Sequence, residues 1–480
     1  MRGLLVAALA ALSLAACGPD RARGGAELSP LPTRPAPSGT AVPDGRSSPV
    51  ADPVYPAHGN PAVDVLHYDL ALEWAPATRT LTGTATLAVR IARDTDAISL
   101  DFATYALDKV TLDGAPVVAR YDSGHLIAPA GRRLPAGTAV TLVVGYHGTP
   151  SAVAFPGVRP DVQDLGARVL PDGALWSLQE PYGAFTWYPV NDQPSDEAPY
   201  DVAITVPTGW AGVSSGTLAG IRDTGGKRTY LWRAAEPVAS YAVAFAVDRY
   251  AERTATGPHG LPITYWVRPA DEDAVTPWLF RTPQVIDWLE KRFGPYPFGS
   301  AGVVIIQGTS GMETQTMVTL APLRGSSAPI TLAHEFAHHW FGNAVTPRTW
   351  ADMWLNEGFA LYAAELLYTV DQQGGDATRI LADWRARDGR LRAEHGPPGA
   401  YKPDHFAAPN VYHCAALMLD AIRHKVGDPT FFAMLHDWVQ HHLHTTQDRA
   451  SFTTWLNTYT AQDLTALVNR WLDSPTTPDA

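Results

Sequence analysis

Residues 331–361 read TLAHEFAHHWFGNAVTPRTWADMWLNEGFAL, and this stretch decides how the rest of the chain is read. It holds His334, Glu335 and His338 in the order His-Glu-x-x-His, followed after 18 residues by Glu357. On a helix, positions i and i+4 lie only about 40° apart around the axis, so the two imidazoles project from one face. So placed, they fit two positions of a tetrahedral zinc, with a third protein ligand leaving the fourth for water. Glu335 sits on the same turn, within reach of a proton on that water. The plain alternative is an amphipathic helix with surface histidines. Ala337, Trp340 and Phe341 oppose it, because they make the helix apolar on much of its circumference, and buried histidines need partners. Ser326 or Ser327 is placed to cap the start, Pro329 suits the first turn, and Pro347 bars continuation. Leu355-Asn356-Glu357-Gly358-Phe359 opens a second apolar helix, Ala360 to Leu367, with an acid at its beginning.

Upstream of this stretch the period changes. The segments 66–74, 80–92, 97–102, 139–147, 201–207 and 240–247 alternate or run apolar between Gly, Asp and Pro turns, which predicts a largely antiparallel β domain of sandwich or saddle type over 56–250. From 251 to 480 a helix at 277–294 and a strand at 301–308 precede a nearly all-helical remainder, including 411–427, 429–444, 451–460 and 463–473. The fold class is therefore multidomain α+β. His436, His441, His442 and His444 resemble a second metal cluster, but no acid accompanies them at ligand spacing, and they read as the solvated end of a helix.

The chain of 480 residues has 15 Trp, 18 Tyr and a hydrophobic share of 46%, the composition of a globular protein with room for two or three domains. A net charge of −12 gives no electrostatic case for nucleic acid or for an anionic lipid surface. Residues 1–17, MRGLLVAALAALSLAAC, combine a positive start, a short apolar core and small residues, which reads as an export signal too short to span a bilayer. Leu14-Ala15-Ala16-Cys17 resembles the bacterial lipobox, whose cysteine is acylated; the expectation is a lipid anchor on the outer face of the cell membrane, with plain secretion as the alternative. Residues 18–55, rich in Pro, Gly and Ser, read as a disordered tether. With Cys17 acylated, Cys414 has no partner and reads as a small core residue.

The chemistry of such a site is hydrolysis. Zinc on two His and one Glu brings its water pKa down toward about 7, and Glu335 as general base directs the attack on a peptide carbonyl. The oxyanion needs a further donor, and Tyr412, His413 and His405 are all available. Glu313, in SGMETQT, and Glu180, in WSLQEPYGAFTWYPVNDQP, are acids that stand out. Facing the metal together they would repel unless a cation sat between them, and a peptide's α-ammonium is such a cation. That geometry makes an aminopeptidase of a zinc protease.

From about residue 60 onward the chain resembles the gluzincin aminopeptidases of the aminopeptidase N and leukotriene hydrolase family. HEFAHHWFGN and WLNEGFA stand at the family spacing, preceded by a Gly-Met-Glu element and followed by a Val-Tyr element. The resemblance implies a β saddle domain before a thermolysin-like catalytic domain, and one zinc per chain on His334, His338 and Glu357 with Glu335 as base. It implies that Gly311-Met312-Glu313 lines the substrate, with Glu313 on the amino terminus and Glu180 sharing that task. Tyr412, 55 residues after Glu357, matches the tyrosine that bonds the oxyanion. Thr314 departs from the family's Asn, and Cys414 from its usual Lys. The sequence stops after the catalytic domain, so the resemblance lacks the family's C-terminal helical domain; the expectation is a more open cleft admitting longer peptides, or a partner or second copy supplying the lid. Two other readings stand beside the aminopeptidase: a zinc endopeptidase or epoxide hydrolase on the same site, and a lipoprotein binding module with an inactive enzyme domain.

Overall fold

Strict alternation builds the first sheet. In the computed structural model, which describes residues 46–162 and 164–479, strand Val63–Ala75 buries Tyr68, Leu70, Leu72 and Trp74 while Asp69 and Ala71 face solvent. It pairs antiparallel with Thr80–Ile91 and, on its other side, parallel with Glu197–Pro207, Tyr68 opposite Tyr200 through Glu73 opposite Thr205. These three form the middle of an eight-stranded sheet whose other pairings are antiparallel. A second, five-stranded sheet includes Leu175–Leu178, a strand buried along its whole length that runs directly into Gln179 and Glu180.

The expected strand 240–247 is only half there. Ser240–Ala242 is a tight turn, and the strand is Phe245–Asp248. Gln179 explains this, because its Nε2 donates to the carbonyls of Ser240 and Val243, both at 2.8 Å, fixing the turn from within the core. Of the stretch read as tether, residues 46–55 are bound to the folded body. Ser47 Oγ donates to the carbonyl of Glu197 at 3.0 Å, and Asp52 accepts the Trp350 N–H at 2.7 Å. Cys17 lies outside the described residues.

The remainder is arranged on a smaller five-stranded sheet. Pro262–Val267, Ala301–Ile305 and Val318–Leu320 run parallel, and Gly311–Met312 forms an antiparallel edge. The helix expected over 277–294 is two helices, Glu272–Leu279 and Thr282–Phe293. Pro283 occupies the first turn of the second, where its missing N–H costs nothing, and Thr282 Oγ1 donates to the Leu279 carbonyl at 2.6 Å across the break. Helices follow to the end, among them Ala328–Ala337, Trp354–Leu361, Ala415–Val426 and Asp428–His442. His436 pairs with Asp437 at 2.9 Å, while His441 and His442 turn back to the carbonyls of Asp437 and Trp438, both at 2.8 Å. Cys414 is buried in the core. Trp350, Tyr401 and Phe406 enter the same apolar core as the β strands, so one continuous packing joins the first half to the second.

Candidate active site

Helix Ala328–Ala337 begins after Ser327, whose side chain makes no capping bond, and has Pro329 in its first turn. It does not run on to Pro347. Past His338 the chain widens into i→i+5 bonds, Asn343 N to the His338 carbonyl at 3.0 Å and Ala344 N to the His339 carbonyl at 3.2 Å, and leaves helical geometry at Phe341 and Gly342. This sharp exit turns the Phe341 carbonyl back onto His338 Nδ1, 3.2 Å away. With Nδ1 donating to that carbonyl, Nε2 is the nitrogen turned toward the site. The second motif helix starts at Trp354, earlier than expected, so Glu357 lies inside its first turn.

His334 Nε2 and His338 Nε2 are 3.2 Å apart, and each is close to the same oxygen, Glu357 Oε2, at 3.3 and 3.4 Å. A tetrahedral ion with bonds of about 2.0–2.1 Å separates its ligands by roughly 3.3 Å, so the three atoms fit zinc without rearrangement. Among the described residues, neither Glu357 Oε2 nor Glu313 Oε1, both buried, has a hydrogen bond. The surrounding charge also asks for a cation. Burial would lower the His338 imidazole, yet Glu313 and Glu357 push it up to about 10. Burial alone would raise the Glu357 carboxyl, and the two imidazoles instead hold it well below the usual range.

A cleft of about 410 Å³ surrounds this centre and is lined by Glu180, Gly311, Met312, Glu313, Glu335 and Tyr412. Glu335 is buried one residue from His334, and burial pushes its carboxyl up to about 7 against the opposing pull of the two imidazoles. Gly311 lies so close that a Cβ there would come within 2.6 Å of Glu335 Oε1. Glu313 follows the edge strand, its backbone held by Asn343 Nδ2, which donates to its carbonyl at 2.9 Å. Glu180 arrives from the β domain, buried. Burial first, then the charges of Glu313 and Glu357, raises its carboxyl well above the ordinary value. Two acids widely separated in sequence therefore share one cavity with the three ligand atoms.

Of the three donors open in the sequence, only Tyr412 touches a ligand residue. Its hydroxyl donates to Glu357 Oε1 at 2.7 Å. His405 is paired with His395 at 2.9 Å, and His413 with the Pro409 carbonyl at 3.0 Å. Thr314 is fully buried, its hydroxyl bonded to the Met317 carbonyl and to Thr319 Oγ1. Three contributors were not read from the sequence. Tyr241 donates to the Gly342 carbonyl at 2.8 Å, Asn356 Nδ2 stands 3.4 Å from Glu180 Oε1, and Arg159 donates to the Tyr412 hydroxyl at 3.0 Å. Asn356 borders Glu357 and was within reach of inspection; Tyr241 and Arg159 carry no local signal.

Comparisons with known proteins cover most of the chain. The Peptidase M1 N-terminal domain matches residues 65–242 and the Peptidase family M1 domain matches residues 279–471. Mouse aminopeptidase B is 29% identical over 360 residues, covering 66% of this chain and 53% of its own length. The chain thus spans about half the length of such curated relatives. The M1 zinc metallopeptidase from Deinococcus radiodurans superposes with a TM-score of 0.78 at 28% identity, covering 90% of this chain and 98% of that one. A mutant of that protein bound to a Tyr-Ser-Ala substrate gives 0.76 at 28% identity, with 90% and 99% covered. With both domain signatures in order and the likeness to a two-domain structure running over nine-tenths of its length, this chain belongs to the M1 family of zinc metallopeptidases.

Proposed function

We propose that the chain is a zinc aminopeptidase that removes N-terminal residues from peptides, with one zinc per chain on His334, His338 and Glu357. Bound there, zinc polarises the scissile carbonyl and acidifies a water molecule. Glu335 accepts the proton of the attacking water and returns it to the leaving amine. Tyr412 turns its hydroxyl hydrogen from Glu357 toward the carbonyl oxygen as negative charge develops there. Glu180 and Glu313 receive the substrate's α-ammonium, with Gly311 and Met312 along its backbone.

The observation that carries this reading is the pair of buried acids beside the ligand triad. Glu180 and Glu313 are both buried in the cleft and Glu313 Oε1 has no hydrogen bond. Their repulsion is relieved by an ammonium ion, which a peptide's backbone supplies only at its free end. Cleavage of a free-amine peptide is expected, with its N-acetylated form resistant; equal cleavage of both, or internal fragments from the blocked peptide, rejects the exopeptidase assignment. Glu335→Gln should keep full zinc by metal analysis and lose turnover by about 10²–10⁴-fold.

Export and lipid attachment at Cys17 remain part of the proposal on sequence grounds; among the described residues no helix is long and apolar enough to cross a membrane. Cys17→Ser should move the protein from the membrane to the soluble fraction and abolish fatty-acid labelling. An unchanged fractionation would reject the anchor.

A further inference from the structure

Arg159 lies in the loop before strand Asp164–Val169 of the β domain, yet its guanidinium lines the active-site cleft. All three of its nitrogens are engaged. Nε and Nη2 grip Asp161 at 3.2 and 2.5 Å, Nη2 also reaches Ser310 Oγ at 3.1 Å, and Nη1 donates to the Tyr412 hydroxyl at 3.0 Å. Asp161 Oδ2 in turn accepts from Ser310 Oγ at 2.8 Å. The fork is thus fixed on two sides, by its own loop and by the residue preceding the Gly311–Met312 edge strand. Such a planar, multiply bonded group holds its direction in a way a flexible ammonium does not.

The consequence lies in the hydrogen of Tyr412. A phenol has one hydrogen and can both donate and accept. With Arg159 donating to the oxygen, the Tyr412 hydrogen cannot point toward the loop, and it points to Glu357 Oε1, 2.7 Å away at the metal-ligand triad. We propose that Arg159 is a positioning residue that sets the donor direction of Tyr412 toward the reacting carbonyl, so that a β-domain side chain takes part in stabilising the oxyanion without itself touching substrate. The inference rests on the aminopeptidase reading above, in which Tyr412 is the oxyanion donor. The order of action is Asp161 and Ser310 on Arg159, Arg159 on Tyr412, and Tyr412 on the substrate.

A double-mutant cycle tests it, with Arg159→Gln, Tyr412→Phe and the pair, assayed on an amino-acid amide that has no carboxylate. Arg159→Gln is expected to lower kcat about tenfold to a hundredfold with KM within about twofold, and to cost less than about twofold when Tyr412 is already Phe. Arg159→Lys, which keeps the charge and cannot span Asp161, Ser310 and Tyr412 together, should retain most of the loss, at full zinc content and unchanged Tm. An equal loss in the Tyr412→Phe background would overturn the inference, as would wild-type kcat in Arg159→Lys. So would an effect confined to KM on dipeptides, which would make Arg159 a carboxylate binder instead. Full kcat in Tyr412→Phe alone would overturn the inference together with the reading beneath it, whereas a large Tyr412→Phe loss with additive Arg159→Gln overturns the inference alone.

Discussion

Thr346 has one hydroxyl hydrogen and faces two acceptors, Glu197 Oε1 at 2.6 Å and the Asn343 carbonyl at 3.1 Å. Both contacts are satisfied if Glu197 carries a proton and donates it to Thr346, which passes its own hydrogen to Asn343. Burial agrees, pushing the Glu197 carboxyl up to about 8 against the lowering effect of Thr346. For an acid raised on folding, the folded state holds its proton more tightly than the unfolded chain. The stability it supports is whole below the ordinary glutamate value, falls as pH rises, and is gone above about 8. Glu197→Gln, uncharged and of the same shape, should therefore raise Tm at pH 9 by about 1–3 °C and leave it nearly unchanged at pH 5, as scanning calorimetry can measure. At this scale the sequence was uneven. His334, Glu335, His338 and Glu357 could be read because helical spacing converts number into direction. Arg159 could not, because its reach to Tyr412 is set by a loop and spans 253 residues.

Among the elements, the exit from helix Ala328–Ala337 aims His338 at the proposed metal site. Gly342 stands at φ 131°, in the left-handed region, and a Cβ there would meet Asn356 Oδ1 at 2.9 Å and His338 Nδ1 at 3.3 Å. Gly342→Ala therefore strains the turn that aims His338. Zinc affinity should fall about tenfold to a hundredfold, as measured by competition with a chromophoric chelator; unchanged affinity would show that the turn does not orient the ligand. Apolar periodicity found strands such as Val63–Ala75 and Thr80–Ile91 but not His125–Leu134 or Lys227–Ala239, and most helices but not Ala377–His395. The buried positions of that helix are Trp384, Asp388, Leu391, Arg392 and His395, and Asp388 and Arg392 are bonded at 2.7 Å with both side chains fully buried. Its inward stripe is thus partly charged, and a search for hydrophobic spacing does not see it. Its one legible signal is Asp376, whose side chain accepts from the Thr378 and Arg379 backbone at 2.9 and 3.3 Å.

For the whole molecule, the cleft draws Glu180 from one half and Glu313, Glu335, His334, His338 and Glu357 from the other, so the proposed zinc would bear on the joint between them. Chelation would leave Glu180, Glu313 and Glu357 facing one another inside the protein. A Tm lowered by roughly 5–10 °C and restored by one equivalent of zinc is the expected result; an unmoved Tm would separate metal binding from the joint. The two-domain order was legible because period 2 gives way to period 3.6 along the chain, although strands Ala251–Thr256 and Pro262–Val267 carry extended structure past residue 250, where the change was expected. How closely the halves merge was not, since Trp350, Tyr401 and Phe406 look like ordinary apolar residues until the packing is seen.

The parallel pairing of Val63–Ala75 with Glu197–Pro207 governs the order of assembly. The hairpin Val63–Ile91 can zip locally as soon as it is made, but its other flank waits for a strand more than a hundred residues later. Closing so long a loop is slow relative to a hairpin, and the hairpin of Thr217–Thr224 with Lys227–Ala239 joins the sheet through the strand that closes it. The early hairpin therefore begins with both edges bare, one until Ala139–Gly148 is made and the other until Glu197–Pro207 arrives, and the later of the two strands decides when that exposure ends.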